Sequence, residues 1–282
     1  MTAQWRTAMV HPLPSAADSA RRQTWRFVVL LARQRLIEAY RGAGLGAWWS
    51  ILPQLAQIGT LALILGAVMQ HRLGAAAGGP PVPYVVYMLP GVLLWQLFHD
   101  TLLHVADALP AQRLILKKNA VDLAVLPLYV PLAQMAPFAV GLALLWLLVS
   151  VLWQPIGVHV IGVTVLAAAA LLALAYCIGW VWGSLAVIVP DIRHALAPLL
   201  QVGFWLTPIV YPASLIPAPL HGVLAWGHPW YGLIAPVQAA WTGLPASVPP
   251  SAALLPLLLG AIHALVLRRI VRHGRKLLLD AL

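Results

Sequence analysis

Long apolar stretches separated by short breaks dominate this chain. Between Leu123 and Leu267 only two side chains are charged, Asp191 and Arg193. An ordinary soluble domain carries charge on about a quarter of its residues. The surface of this region must therefore face a nonpolar solvent, which does not stabilise charged side chains. The pattern predicts an all-α, polytopic membrane protein whose 282 residues form a single transmembrane domain.

Six apolar segments are long enough to cross a bilayer. A helix needs about 20 apolar residues to span a hydrocarbon core of roughly 30 Å. Gly and Pro clusters separate the candidates, as at Gly78-Gly79-Pro80-Pro81 and Gln154-Pro155. We predict transmembrane helices at 47–70, 84–108, 126–152, 158–188, 194–211 and 249–267.

Basic residues lie almost entirely on one side of these predicted spans. Of the 17 Lys and Arg residues, all except Arg72 precede the first span, follow the sixth, or lie in the second-to-third or fourth-to-fifth connection. Cytoplasmic connections are enriched in Lys and Arg. The distribution predicts that both termini are cytoplasmic, with 268–282 forming a cytoplasmic tail. It also explains the net charge of +10 without a nucleic-acid partner.

The segment 212–248 fits neither a simple loop nor a single span. It has no charged side chain, and it contains Trp226, Trp230 and Trp241 among many prolines. If this segment crossed the membrane once, the basic C-terminus would lie on the external side. We therefore predict a re-entrant helical hairpin on the external face, a geometry tolerated where protein covers the backbone.

The N-terminal residues 20–42 follow helical spacing with arginines along one edge. This pattern predicts a helix lying in the membrane interface on the cytoplasmic side. Its apolar stripe consists of Trp25, Val28, Val29, Ala32, Leu36, Ala39 and Tyr40.

The second span carries the densest set of polar residues in the apolar region. Asp100, His104 and Asp107 have the spacing i, i+4 and i+7, so they share one helix face, and His99 lies beside them. A zinc site and a proton relay are two possible interpretations of this cluster. The interpretation that we favour is that these groups lie near the cytoplasmic end of the span, where they are wetted or hydrogen-bonded between helices, and we predict no metal site and no catalytic residue.

No phosphate-binding loop occurs in the sequence, and Cys177 is its only cysteine. The chain therefore offers no internal disulfide and no Cys-based metal cluster. If its work consumes a nucleotide, another chain must bind that nucleotide.

Three stretches, in this order, resemble the permease subunits of type-two ABC exporters that move bacterial cell-surface polysaccharides. In residues 40–53, an arginine, Leu-Gly, Trp and Pro lead into the first span. Residues 114–118 followed by Leu126-Pro127 are similar to the family's basic cytoplasmic connection. Residues 191–193 and 204–211 resemble its charged connection and its aromatic-x-[ST]-Pro-[IV]-x-Tyr ending. His228-Pro229 stands where relatives usually show Asn-Pro.

This resemblance implies a subunit of the bacterial inner membrane that exports O-antigen, as in lipopolysaccharide biosynthesis, or capsule or teichoic acid. Its implied partners are a second copy of the chain, two copies of an ABC ATPase, a lipid-linked polysaccharide and membrane lipid. The chain itself would bind no cofactor, because ATP and Mg would bind to the ATPase. The residues expected to transmit force from that ATPase are Arg113, Lys117, Lys118, Asp191 and Arg193.

Aromatic side chains are the predicted lining of the substrate path. Flat aromatic faces contact sugars without tight charge-based binding, so the polymer can leave. The candidates are Trp48, Trp49, Tyr87, Trp95, Trp205 and Tyr211. The candidate residues of the external hairpin are Trp226, His228, Pro229 and Trp230.

Other functions remain open at this point. An ABC exporter of a drug or another small molecule has overlapping sequence features. A membrane-embedded transferase acting on lipid-linked sugars would need acids or histidines that converge on one atom, and only seven acidic residues occur. A proton-coupled transporter would depend on Asp100 and Asp107 and on an internal repeat, which we do not find.

Overall fold

Helices build the chain throughout the residues that the computed structural model describes, which are 16–38, 52, 56, 59–60, 82–118 and 121–281. The predicted all-α class is confirmed within these ranges. The first predicted span, 47–70, lies almost wholly outside them. The α-helices, joined by short 3-10 turns, are α1 (Ala16–Glu38), α2 (Tyr84–Ala111), α3 (Arg113–Lys118), α4 (Tyr129–Leu152), α5 (Val158–Ile188), α6 (Asp191–Leu206), α7 (His221–Gly227), α8 (Tyr231–Thr242), α9 (Leu254–His273) and α10 (Arg275–Ala281).

Three helical segments in the described ranges are long and apolar enough to cross a membrane. They are Leu126–Val151, Val158–Ile188 and Pro250–His273. Helix α2 is long enough, but the His and Asp residues in its second half lower its hydropathy. Helix α6 has only 16 residues, which span about 24 Å at 1.5 Å per residue. The count of six spans therefore remains a prediction.

Helix α2 lies at the centre of the bundle. It contacts α4, α5, α6 and α8, and its buried residues occur on all sides rather than along one stripe. A helix that is apolar all round is expected in such an interior position. Much of the candidate site described below is positioned against α2.

Two glycines one turn apart bring α5 against the backbone of α2. A Cβ added at Gly179 would lie 2.6 Å from the Leu102 carbonyl oxygen, and one at Gly183 would lie 2.5 Å from that of Ala106. Any larger side chain would push the helices apart. The spacing Gly-x-x-x-Gly is the arrangement that allows close helix contact in membranes.

The basic segments converge on one end of the bundle. A buried apolar cluster there joins α1, the end of α2, α3, the start of α4 and α10 through residues that include Val28, Leu109, Leu116, Val130 and Leu278. The Arg275 guanidinium donates to the Val121 carbonyl at 3.4 Å. This gathering agrees with the one-sided distribution of Lys and Arg in the sequence.

Helix α1 packs against the protein along one edge of its predicted apolar stripe. Thr24 and Val28 are buried, and Phe27 and Leu31 contact the same cluster, whereas Trp25 and Val29 are exposed. The helix contacts α4 and the turn Leu126–Leu128. The Thr24 hydroxyl also accepts a hydrogen bond from the Asp122 amide at 3.1 Å. Trp25 and Val29 of the predicted apolar stripe therefore point outward, because contact with the protein selects the edge of the stripe that carries Val28 and Ala32.

The predicted hairpin region contains two helices, α7 and α8. Helix α8 contacts α2, α5 and α9, and a small apolar cluster that includes Tyr231, Ala235 and Ala252 lies beneath it. Whether this region enters the membrane and returns remains a prediction.

Candidate functional site

Helix α6 stops at Leu206, and the chain continues as buried, non-helical backbone. Thr207 has an extended conformation, with φ −88° and ψ 131°. The residue before a proline is disfavoured in the helical region, so Pro208 enforces this end. Thr207, Pro208, Ile209 and Val210 are all buried. Their polar backbone groups must find partners within the protein.

Side chains from α2 and α8 supply those partners. The Tyr87 hydroxyl donates to the Pro208 carbonyl at 3.0 Å, and the Tyr84 hydroxyl donates to the Val210 carbonyl. The Gln238 amide donates to the Pro208 carbonyl at 3.2 Å. The break in α6 is therefore held from both sides by three donors.

The Thr207 hydroxyl uses its full hydrogen-bonding capacity. It donates to the Gly203 carbonyl at 2.6 Å, and it accepts from the Trp230 indole nitrogen at 3.0 Å. The His228 Nε2 lies 3.2 Å away. Since the single hydroxyl proton is already donated, Nε2 must carry the proton of this contact. One oxygen thus joins α6 to the turn between α7 and α8.

His228 remains neutral in this position. It lies in the connection between α7 and α8, outside the helical segments that are long and apolar enough to cross a membrane, and burial lowers its pKa to about 4. A neutral ring with hydrogen on Nε2 leaves Nδ1 as an acceptor. Nδ1 is buried and has no hydrogen-bond partner among the described residues.

An aromatic cluster surrounds this hydroxyl. The Trp230 ring centroid lies 5.5 Å from that of Trp95 and 5.2 Å from that of Phe98, and Phe204 is 5.8 Å from Trp95. A Cβ at Gly203 would lie 2.9 Å from the Trp230 ring. Gly203 therefore leaves the space in which Trp230 crosses α6.

A second indole anchors the far end of α8. The Trp241 Nε1 donates to the Thr164 hydroxyl of α5 at 2.9 Å, and both residues are fully buried. Tyr84, Tyr87 and Thr164 all belong to the first halves of their helices. The segment predicted to form the hairpin therefore lies at the end of the bundle opposite to the basic segments.

The predicted lining residues are distributed between the interior and the surface. Trp48 and Trp49 lie outside the described residues. Tyr87 and Trp95 are buried and contact other residues of this chain. Trp205 is 55% exposed, and the Tyr211 hydroxyl donates to its carbonyl at 3.0 Å. Contact of any of these residues with a substrate remains a prediction.

The predicted hairpin residues lie on the two sides of the turn. Trp226 is 53% exposed at the end of α7. His228, Pro229 and Trp230 are half-buried, and two of them contact Thr207.

The predicted coupling residues lie at the opposite end. The Arg193 Nε is 2.6 Å from the Asp107 Oδ1, so the start of α6 is joined to the last turns of α2. Lys117 and Lys118 are exposed on the short helix α3, and Leu116 fixes that helix in the apolar cluster. Arg113 and Asp191 are also exposed.

The polar residues of α2 have separate partners. The His99 Nδ1 lies 2.9 Å from the Asp100 Oδ1, the His104 Nδ1 lies 2.6 Å from the Asp100 carbonyl, and Asp107 contacts Arg193. A group of three His, Cys, Asp or Glu side chains able to hold a metal does not occur within the described ranges. Two of these contacts therefore lie within α2, and the third joins α2 to α6.

Sequence reasoning missed the donors that hold the break. Tyr84 and Gln238 were not singled out as functional residues, and Thr207 was seen only as part of a motif. The available signal was polarity, because Gln238 is a polar side chain in a segment without charge. Its partners, in the non-helical segment that follows α6, lie 29 and 30 residues earlier, and the sequence does not reveal that pairing.

Comparison with known proteins gives one informative similarity. The chain is 28% identical over 192 residues to the "O-antigen export system permease protein RfbA" of Myxococcus xanthus, covering 67% of this chain and 69% of the relative. No protein-family profile matches the chain. The similarity supports an ABC permease and a transport subunit, and it agrees with the apolar helices.

Proposed function

We propose that this chain is the membrane-spanning subunit of an ATP-driven exporter of a lipid-linked cell-surface polysaccharide, of the O-antigen, capsule or teichoic-acid kind. The similarity to an O-antigen export permease carries the proposal. The apolar helices and the one-sided basic end support it. Two copies in the bacterial inner membrane, with cytoplasmic termini, would act with two copies of an ABC ATPase that binds ATP and Mg.

Deletion of the gene tests this function. We expect the lipid-linked polymer to accumulate inside the cell and to disappear from the surface, with both effects reversed by the intact gene. Immunoblots of whole cells and of inner membranes measure the two pools, and a tagged chain should retrieve an ATPase. Unchanged surface polysaccharide together with increased drug sensitivity would instead favour an exporter of small molecules. Activity in liposomes without an ATPase would exclude the proposal.

Trp205 is the described aromatic residue best placed to contact a sugar chain. It lies on an exposed apolar stripe of α6 with Leu199, Val202 and Leu206. We expect Trp205→Ala to lower export, because a sugar ring loses its aromatic contact. The control is Leu206→Ala, which removes a neighbouring exposed apolar side chain without an aromatic face. If the two variants export equally at equal protein levels, Trp205 does not line the substrate path.

The pair Asp107 and Arg193 is the proposed contact through which movement at the basic end reaches α6. Both side chains are partly exposed, at 40% and 57%, so the pair contributes at most about 1 kcal/mol to stability. We expect Arg193→Asp to lower export without unfolding the protein, because two carboxylates then repel. The double variant with Asp107→Arg should restore export. Failure of the double variant to recover would show that the pair does not act as a unit.

A further inference from the structure

An apolar groove opens at the basic end of the bundle, where α5, α9 and α10 meet. Its volume is about 400 Å³. Leu185 and Ile188 of α5 form one wall, and Val266 and Ile270 of α9 form the second. Leu277 of α10 closes the third side. These apolar walls and this volume suit one acyl chain of a lipid.

The groove lies at the level where the apolar part of α9 ends. The predicted span stops at residue 267, and Val266 and Ile270 lie on either side of that boundary. Helix α9 is the least buried of the three apolar helices, and Leu258 and Leu265 are more than half exposed. In a bilayer the groove would therefore open to the headgroup region of the leaflet that meets the basic end.

Two side chains able to carry positive charge line the same groove. Arg269 and His273 are exposed, one helical turn apart. The His273 Nδ1 lies 3.2 Å from the Arg269 carbonyl, so Nδ1 carries a proton and Nε2 is left for another partner. Within the described ranges the ion pairs are His99–Asp100 and Arg193–Asp107, and Arg269 therefore has no carboxylate partner there.

The surrounding charge also favours an anion. Five basic residues occur between 268 and 276, and Asp280 is the one acidic residue after 249. A guanidinium matches a phosphate with two parallel hydrogen bonds. If a second copy of this chain packed against the groove, the basic clusters of the two copies would face each other. Like-charge repulsion opposes such a contact.

From this geometry we propose that the groove between α5, α9 and α10 binds an anionic membrane phospholipid. One acyl chain lies along Val266, Ile270 and Leu277, and the phosphate contacts Arg269. Basic pockets between transmembrane helices on the cytoplasmic side bind anionic headgroups in this manner. The site is separate from the hairpin and from the proposed substrate path, so the proposal does not depend on the transported molecule.

Native mass spectrometry of the full-length chain tests the site with phosphatidylglycerol as the probe and phosphatidylcholine as the neutral comparison. We expect the delipidated protein to retain one phosphatidylglycerol in preference to phosphatidylcholine. Arg269→Ala should weaken retention by about tenfold, as expected for one charge-assisted contact. Leu277→Trp should weaken it similarly by filling the groove, and because Leu277 is 61% exposed, the change leaves the fold intact.

Arg268→Ala is the matched control. It removes the same charge from the adjacent position, but Arg268 does not line the groove. Equal losses in Arg268→Ala and Arg269→Ala would indicate general attraction to the basic end and would overturn the site. Equal retention of the two lipids would overturn the role of the headgroup. Displacement by millimolar inorganic phosphate, with no effect of Leu277→Trp, would show that phosphate alone binds there. Co-purification of a polyprenyl lipid instead of a diacyl lipid would also overturn the proposal.

Discussion

At the scale of single residues, Thr207 determines how the end of α6 is joined to the hairpin. Its hydroxyl makes one donated and two accepted contacts, to Gly203, Trp230 and His228. All three contacts lie in a region without charge, where a lost partner cannot be replaced by water. The side chain is fully buried. Its loss therefore costs more than one ordinary hydrogen bond.

Replacing Thr207 by Val tests this role. The shape is retained, but the Trp230 indole and the His228 Nε2 lose their acceptor. A buried unsatisfied polar group costs about 1–3 kcal/mol, so we expect a lower melting temperature in detergent. Thr207→Ser keeps the hydroxyl and should melt close to the unchanged protein. If the Val and Ser variants have the same melting temperature, the three contacts do not stabilise the fold.

At the scale of elements, the close contact of α2 and α5 sets the position of the central helix. Gly179 and Gly183 remove the side chains that would hold the two backbones apart. Since α2 supplies Tyr84, Tyr87 and Trp95 to the site, the depth of this contact fixes where those groups meet the break in α6.

Adding a methyl group at Gly183 should disturb this contact. Its Cβ would lie 2.5 Å from the Ala106 carbonyl oxygen, so the helices must separate. We expect Gly183→Ala to lower the melting temperature. Gly162 lies on the same helix with no atom near its Cβ position, and Gly162→Ala serves as the control. That change should stabilise the helix by up to about 1 kcal/mol, because Ala favours helices more than Gly.

The opposite signs expected for these two substitutions make the test independent of general effects of Gly→Ala. A Gly183→Ala protein that melts at or above the temperature of Gly162→Ala would contradict the close contact.

At the scale of the whole molecule, the described residues form a bundle with a basic end and, opposite to it, an end that carries the predicted hairpin. Segments far apart in sequence, from α1 to α10, meet at the basic end, and the hairpin contacts the opposite ends of α2 and α5. This polarity matches the orientation that Lys and Arg predict in a membrane.

Single cysteines measure this orientation. In a Cys177→Ser background, we expect Trp226→Cys to react with an impermeant maleimide added outside intact cells. Trp226 is exposed, so access does not require unfolding. Lys117→Cys should react only after the membrane is opened. Labelling of position 226 only after the membrane is opened would place the hairpin on the cytoplasmic side and would contradict the predicted topology.

The sequence anticipated the helical class and the places where polar and apolar segments alternate, because these depend on local composition. The inward face of α1 was not predictable in the same way, since Val28 and Val29 are equally apolar and tertiary contact chose between them. The donors Tyr84 and Gln238 were missed because their partners, in the segment that follows α6, are distant in sequence. Periodicity reports burial within one helix, and it carries no information on which side chain meets a given carbonyl.

Helix α6 is fastened to α2 at both of its ends, by Arg193 and Asp107 at one and by Tyr87 and the Pro208 carbonyl at the other. A helix held at two places cannot hinge away from its neighbour without breaking at least one of these attachments. Any widening of the molecule is therefore expected to move α2 and α6 together as one rigid body. Spectroscopic probes on the two helices should keep a constant separation, while their distance from the corresponding pair in a second copy changes.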